Sequence, residues 1–119
     1  SEMCIRDRME EVRYNNFFTD IQSIGSEKGV NLTYANKRLY LSLLQYVQSY
    51  YHESQITENG VSFHTTISEL AEFCEVSRRT VSSSLQKLQK CGLVAVQKEE
   101  KTFFITVLDS PLFRAYCWA

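Results

Sequence analysis

The side chains with the clearest chemical potential lie in one short segment, residues 77–91. Five of them carry hydrogen-bonding groups at spacings of one, three or four residues, namely Arg78, Arg79, Ser82, Ser83 and Gln86. On a helix, residues three or four apart are surface neighbours, so these five would share a side. Arginine can bind guanine O6 and N7 with two hydrogen bonds, and serine and glutamine can bond to other base edges. The pattern therefore predicts a helix that contacts base edges in the major groove of DNA.

The flanking residues indicate where this helix begins and ends. Ser77 is a suitable N-cap because its hydroxyl can accept from a free amide of the first turn. Gly92 is a suitable stop because a residue just past a helix end often adopts the left-handed conformation. Three apolar residues at spacings of four and three predict one buried face, namely Val81, Leu85 and Leu88. The segment carries four basic residues and no acidic one, although the whole chain has a net charge of −1. A solvated helix with ordinary lysines is the alternative interpretation.

The preceding and following residues predict a winged helix-turn-helix. The sequence from Thr66 to Glu69 has the form of a capping box, so a first helix is expected from Ile67. A short connection leads from it to Ser77, which gives a helix-turn-helix over about 67–91. Two β-rich runs follow Gly92 with a charged turn between them, which predicts a hairpin wing over about 93–108. The expected fold class is mainly α with a small β-hairpin wing (α+β), preceded by an N-terminal helix.

Basic and hydroxyl side chains elsewhere in this unit are candidates for contacts with phosphates. Such contacts position a protein on DNA without reading its sequence. The candidates are Thr66, Ser77, Lys87, Lys98 and Lys101. Five carboxylates border the same surface and would repel phosphate, namely Glu69, Glu72, Glu75, Glu99 and Glu100.

The segment from Thr66 to Leu93 resembles the DNA-binding domain of the CRP/FNR family of bacterial transcription regulators, and the wider resemblance runs from about Asn36 to Leu108. The residues that carry it are Leu70-Ala71, Ser77-Arg78, Thr80-Val81-Ser82, Leu85 with Leu88, and Gly92-Leu93. Two positions depart from the pattern, because Arg79 stands where the family usually has glutamate and Ser83 where it usually has a second arginine. The departures affect the expected target sequence rather than the mode of binding.

The resemblance implies sequence-specific binding of double-stranded DNA by a cytoplasmic regulator, with the recognition helix 78–91 in the major groove. It also implies a homodimer, with RNA polymerase as a further partner. We expect the family's effector domain to be absent from this chain. A dimer would place two recognition helices about one DNA turn apart.

The N-terminal third of the chain divides into two parts. Residues 1–8 fit nothing after them and are similar to a translated cloning adapter, so they are predicted to be a non-native leader. Residues 9–32 are predicted to form a linking or dimerising helix. Four large side chains on it form a short apolar seam, namely Tyr14, Phe17, Ile21 and Ile24. A helix that packs against its own domain is the alternative.

The remaining residues, 33–119, are assigned to the winged-helix domain. A core helix is expected over about 34–51, with Thr33 as its cap. The Asn59-Gly60 turn predicts a small hairpin between Ile56 and the residues after Gly60. The tail after Pro111 is expected to pack back on the domain through Phe113, Tyr116 and Trp118.

The sequence contains no recognisable catalytic constellation. The cysteines Cys4, Cys74, Cys91 and Cys117 show no zinc-ligand spacing, and reduced thiols are the expected state. We therefore expect neither an enzyme nor a bound metal or cofactor, and the apolar runs are too short for a membrane span. A winged-helix protein–protein interaction module and the winged helix of a replication initiator are the alternatives to a regulator.

Overall fold

The computed structural model describes residues 16–117, so the leader 1–8, Tyr14 and Trp118 lie outside the described residues. In chain order the elements are α1 (16–28), α2 (Tyr34–Tyr50), a short 3₁₀ turn (Glu53–Gln55), β1 (Gly60–Thr65), α3 (Ile67–Cys74), α4 (Arg78–Lys90), β2 (Val94–Lys98), β3 (Phe103–Leu108) and α5 (Pro111–Tyr116). This mixed helix and sheet arrangement is a winged helix-turn-helix, and the predicted fold class is confirmed.

Side-chain caps set the beginnings of three helices in the way the sequence predicted. Thr33 and Thr66 each accept a hydrogen bond from the backbone amide three residues on. In turn, the side-chain oxygens of Asn36 and Glu69 accept a hydrogen bond from the backbone amide of the cap residue. This second bond completes a capping box at both helices. Ser77 accepts from the Thr80 amide at the start of α4. Each cap satisfies backbone donors that a helix terminus otherwise leaves without a partner.

The three strands form one antiparallel sheet in the order β1-β3-β2. The central strand places Val107 opposite both Val61 of β1 and Val94 of β2. The predicted small hairpin at Asn59-Gly60 is wrong, because only an isolated bridge joins Thr57 to Gly60 and β1 instead pairs along its length with β3. The alternating apolar residues of β1 are buried when β1 pairs with β3 of the wing. The loop before Gly60 is polar, so pairing with it would not bury them.

The first helix packs against its own domain. Phe17 and Ile21 are both 0% exposed within one chain. The Phe17 ring stacks on Tyr40 of α2 with a centroid distance of 5.9 Å, and it meets Tyr116 of α5 edge-on at 5.2 Å. The dimer seam predicted through Phe17 and Ile21 is therefore corrected, because α2 and α5 already bury the aromatic stripe. Ile24, the remaining described residue of the predicted seam, is half-buried.

The C-terminal helix α5 contributes buried side chains to the core. In α5, Leu112 is 4% exposed and Phe113 is 0% exposed, so this part of the tail packs back as predicted. The hydroxyl of Tyr116 donates to Asp20 of α1 at 2.8 Å, which ties the last described helix to the first.

Candidate nucleic-acid interface

Helix α4 has one buried face and one exposed face. Val81, Ser84, Leu85 and Leu88 point inward, and α4 packs against both α2 and α3. On the opposite side, the exposed residues include Arg79, Ser83, Gln86 and Lys90. The inward residues follow the helical repeat that the sequence predicted, with Ser84 as an additional buried position.

The ends of α4 fix its direction relative to the wing. The Ser77 hydroxyl lies 3.1 Å from the Thr80 amide that donates to it and 2.9 Å from the Thr80 hydroxyl. At the other end, Gly92 has a φ of +74°, a value that glycine adopts without the steric cost borne by other residues. The Leu93 amide then donates to the Leu88 carbonyl at 3.1 Å. The chain therefore turns sharply at Gly92 and begins β2 beside the helix it has just left.

A first cleft lies between the start of α4, the start of α3 and the wing. It has a volume of about 330 Å³. Its walls bring together one predicted base-contact residue, Arg78, and three predicted phosphate-contact residues, Thr66, Lys98 and Lys101. Ser68 and the carboxylates of Glu99 and Glu100 also line it. Residues from three separate elements thus converge where the helix N-terminus meets the wing.

A second cleft runs along α4 toward its C-terminal half. It has a volume of about 300 Å³ and lies between α4 and the inner side of the wing. Ser82 and Gln86 line it, together with Gln89 and Lys98. Lys98 borders both clefts, so this cation of the wing lies between them.

Four of the predicted contact residues line neither cleft, namely Ser77, Arg79, Ser83 and Lys87. Arg79 and Ser83 are exposed on the outer face of α4. The Ser83 hydroxyl donates to the Thr80 carbonyl at 3.3 Å. The Lys87 ammonium donates to the Asn31 carbonyl at 3.0 Å, so it is turned toward the loop between α1 and α2. The hydroxyls of Thr66 and Ser77 already serve as helix caps.

Three polar residues beside this surface were given no contact role in the sequence analysis, namely Ser68, Gln89 and Lys90. Gln89 could have been found from spacing alone, since it lies three residues after Gln86 and seven after Ser82. Lys90 follows Gln86 by four residues and so extends the same exposed side. Ser68 gave no such signal, because its position depends on how α3 packs beside the wing.

Two of the bordering carboxylates are partly occupied by neighbours. Glu69 Oε2 accepts from the Thr66 amide at 3.2 Å and from the Thr65 hydroxyl at 3.1 Å. Glu99 Oε1 lies 3.5 Å from His64 Nε2, and its other oxygen accepts weakly from Thr102 at 3.4 Å. These contacts occupy oxygens of Glu69 and Glu99, and Glu99 still lines the first cleft beside its basic side chains.

The thiols near α4 are poor nucleophiles. Burial raises the pKa of the Cys74 thiol, and burial likewise raises the pKa of Cys91 at the end of α4. Since the thiolate is the reactive form, both groups are less reactive than an exposed cysteine at neutral pH. Over residues 16–117, no three His, Cys, Asp or Glu side chains are grouped in a way that could hold a metal ion.

The described helices contain no stretch that is long and apolar enough to cross a membrane.

No curated protein sequence matches the chain. One similar solved structure is described as the "N-Terminal domain of DNA binding protein"; the TM-score is 0.55 and the sequence identity 20%. The match covers 66% of this chain and 63% of that chain, and at this identity it shows a shared fold. A family model of the Crp-like helix-turn-helix domain matches residues 37–116, which include every element from α3 to α5. The chain therefore belongs to the Crp-like helix-turn-helix domain family.

Proposed function

We infer that this domain binds double-stranded DNA in a sequence-specific way, with α4 in the major groove, as part of a cytoplasmic bacterial transcription regulator. The observation that carries the proposal is the convergence of Arg78, Lys98 and Lys101 on one cleft at the N-terminus of an exposed polar helix. Such a helix presents hydrogen-bonding groups to base edges while neighbouring cations meet the phosphates.

The candidate residues divide into two roles in this proposal. Base contacts are assigned to Arg78, Arg79, Ser82, Ser83 and Gln86, which lie on or beside the exposed side of α4. Phosphate contacts are assigned first to Lys98 and Lys101, because both belong to the wing that borders the helix. Thr66, Ser77 and Lys87 remain phosphate candidates whose polar groups have partners within the domain.

Selection from a pool of randomised DNA duplexes tests this proposal. We expect the wild-type chain to enrich one family of sequences at moderate salt, and we expect Arg78→Ala to weaken that enrichment at one base position while retaining binding to random duplex. Gln48→Ala is a matched control, because Gln48 is exposed on α2 and belongs to neither cleft. Enrichment of no sequence by the wild-type chain would refute sequence-specific binding.

A homodimer on a two-fold-related DNA site is part of the proposal. Two recognition helices would then bind half-sites separated by about 34–36 Å, which is one turn of DNA. RNA polymerase is proposed as a further partner on the strength of the family resemblance. Light scattering of the chain with and without a selected duplex measures the assembly, and we expect two chains on each duplex.

An interaction role without DNA is the second candidate, and an exposed aromatic patch favours it. Tyr50 is 67% exposed and Phe73 is 43% exposed, which is unusual for side chains of this size. Tyr46 joins them, with ring centroids 4.8 Å from Tyr50 and 5.4 Å from Phe73. Under this alternative, Tyr50→Ala with Phe73→Ala removes partner binding, whereas Arg78→Ala leaves it unchanged. A replication initiator would share the DNA chemistry of α4 and differ in its target site.

A further inference from the structure

A buried polar contact joins α2 to α4 among the mainly apolar residues of the core. The Asn36 amide Nδ2 donates a hydrogen bond to the Ser84 hydroxyl at 2.6 Å. Asn36 is 3% exposed and Ser84 is 0% exposed, and the neighbouring inward residues Val81 and Leu88 of α4 are equally buried. A shifted α4 would leave both polar groups buried without a partner, a state that is costly. The bond therefore penalises alternative positions of α4 in addition to the apolar packing, and it depends on the relative orientation of the two groups.

The Asn36 side chain is itself held in place from its other end. Its Oδ1 accepts from the Thr33 amide at 2.9 Å, while the Thr33 hydroxyl accepts from the Asn36 amide at 3.2 Å. This capping box fixes the plane of the side-chain amide relative to the first turn of α2. The donor that meets Ser84 therefore projects from a rigid helix terminus, so it can act as a fixed reference point.

Ser84 lies in the middle of the residues assigned to base contact. Ser82 and Ser83 precede it directly and Gln86 follows two residues later, all on the same rigid helix. A side chain tip about 5 Å from the helix axis moves by roughly 2 Å when the helix turns by about 20°. Hydrogen bonds are lost well within that range, since donor–acceptor distances span only about 0.5 Å. The rotation of α4 must therefore be held closely for the same base edges to be read.

We propose that Asn36 is a positioning residue for DNA readout, which acts through Ser84 to set the rotation and axial register of α4. Asn36 is buried on the side of α4 away from the clefts, so it acts without touching DNA. This inference rests on the proposed function, because it concerns the fidelity with which the exposed side of α4 reads bases. Its specific consequence is that loss of the bond lowers sequence discrimination rather than general affinity for DNA.

The test compares affinities of the full 119-residue chain for a duplex selected by the wild-type chain and for random duplex. We expect Ser84→Ala to lower the ratio of the two affinities at least tenfold while the affinity for random duplex stays within twofold. Val81→Ala is the matched control, because it removes buried atoms from the same helix face without touching the hydrogen bond. We expect Val81→Ala to keep the ratio within twofold of the wild-type value.

Further variants separate positioning from a loss of folding. Asn36→Ala should lower the ratio as Ser84→Ala does, and the double variant should lose no more than either one, since all three lack the same bond. Ser84→Thr retains the hydroxyl and should restore most of the ratio. All affinities are compared at a temperature at which circular dichroism shows every variant folded.

The outcomes identify which proposal fails. An unchanged ratio in Ser84→Ala and Asn36→Ala, or an equal loss in Val81→Ala, overturns the positioning role alone. If the wild-type chain enriches no sequence, the proposed function fails and this inference fails with it. Strictly additive losses in the double variant would likewise show that the two residues act independently, which contradicts the proposal.

Discussion

Helices α1 and α4 each carry one apolar stripe at helical spacing, and both stripes are buried. The two helices differ in the charge of the opposite, exposed face. In α1, the rings and branched chains of Phe17 and Ile21 are 0% exposed against the domain. In α4, Val81 and Leu88 are also 0% exposed. The outer side of α1 mixes Glu27 with Lys28, whereas the outer side of α4 carries Arg79 and Lys90 with no acidic residue. Apolar spacing thus predicts that a face is buried, and the charge of the opposite face indicates what that helix meets.

The comparison also separates stability from recognition. Inward residues of both helices belong to one continuous core, so their truncation lowers the free energy of unfolding. Outward residues of α4 contribute little to that core, and their truncation should change affinity for DNA with small effects on stability. The predictions below use this division, from the largest expected effect to the smallest.

Phe17→Ala is expected to cost about 3–5 kcal/mol of stability, because a large aromatic side chain leaves a cavity between α1, α2 and α5. The ring contacts with Tyr40 and Tyr116 are lost at the same time. Denaturant unfolding measures the loss, and the exposed Gln22→Ala serves as the control. A variant of unchanged stability but altered light scattering would restore the dimer seam interpretation for Phe17.

Leu85→Ala is expected to cost about 2–5 kcal/mol, because Leu85 is only 4% exposed where α4 meets the rest of the core. Gln86→Ala, one residue further along the same helix, should change stability by less than about 0.5 kcal/mol. Denaturation midpoints of the two variants measure the difference directly. Equal midpoints would mean that the inward and outward faces of α4 have been assigned the wrong way round.

Local signals explain why much of this fold could be predicted from the sequence. The caps Thr66 and Ser77 and the stop at Gly92 act within one helical turn, so neighbouring residues alone indicate them. The contact between Phe17 and Tyr116 spans most of the chain, and the Asn36–Ser84 bond joins residues 48 positions apart. Such pairs leave no trace in local spacing. For that reason the pairing of β1 with β3 emerged only from the structure, and the structure was needed to choose between a dimer seam and an α1 packed against its own domain.

The same limit applies to the candidate site. The polar face of α4 could be predicted because helical spacing determines which of its residues share a side. The convergence of Arg78 with Lys98 and Lys101 depends on where the wing lies, and the wing is tied to the rest of the domain by the long-range pairing of β3 with β1. The direction of Lys87 toward Asn31 depends likewise on where α1 ends. Residue types and spacing therefore indicate which side chains are candidates for DNA contact. The packing of the domain determines which of them lie together.

Arg78→Ala is expected to cost about 1–3 kcal/mol of discrimination between the selected duplex and a duplex changed at one base pair. The reason is that Arg78 lines the first cleft at the N-terminus of α4, where recognition helices contact base edges. Affinities for duplexes altered one base pair at a time measure the loss, with Arg79→Ala assayed in parallel. If Arg78→Ala loses discrimination at no position, Arg78 contacts phosphate and the assignment of base contact is wrong.

Lys98→Ala is expected to have the smallest effect, a uniform weakening for selected and random duplexes alike, because phosphates are the same in every sequence. Loss of one phosphate contact should flatten the dependence of log affinity on log salt by about 0.9. Lys87→Ala provides the comparison, since its ammonium must first leave the Asn31 carbonyl, and we expect a smaller change in slope. Titrations of both variants with random duplex at several salt concentrations measure the slopes. A larger change for Lys87 than for Lys98 would show that DNA approaches α4 from the side of the α1–α2 loop, away from the wing.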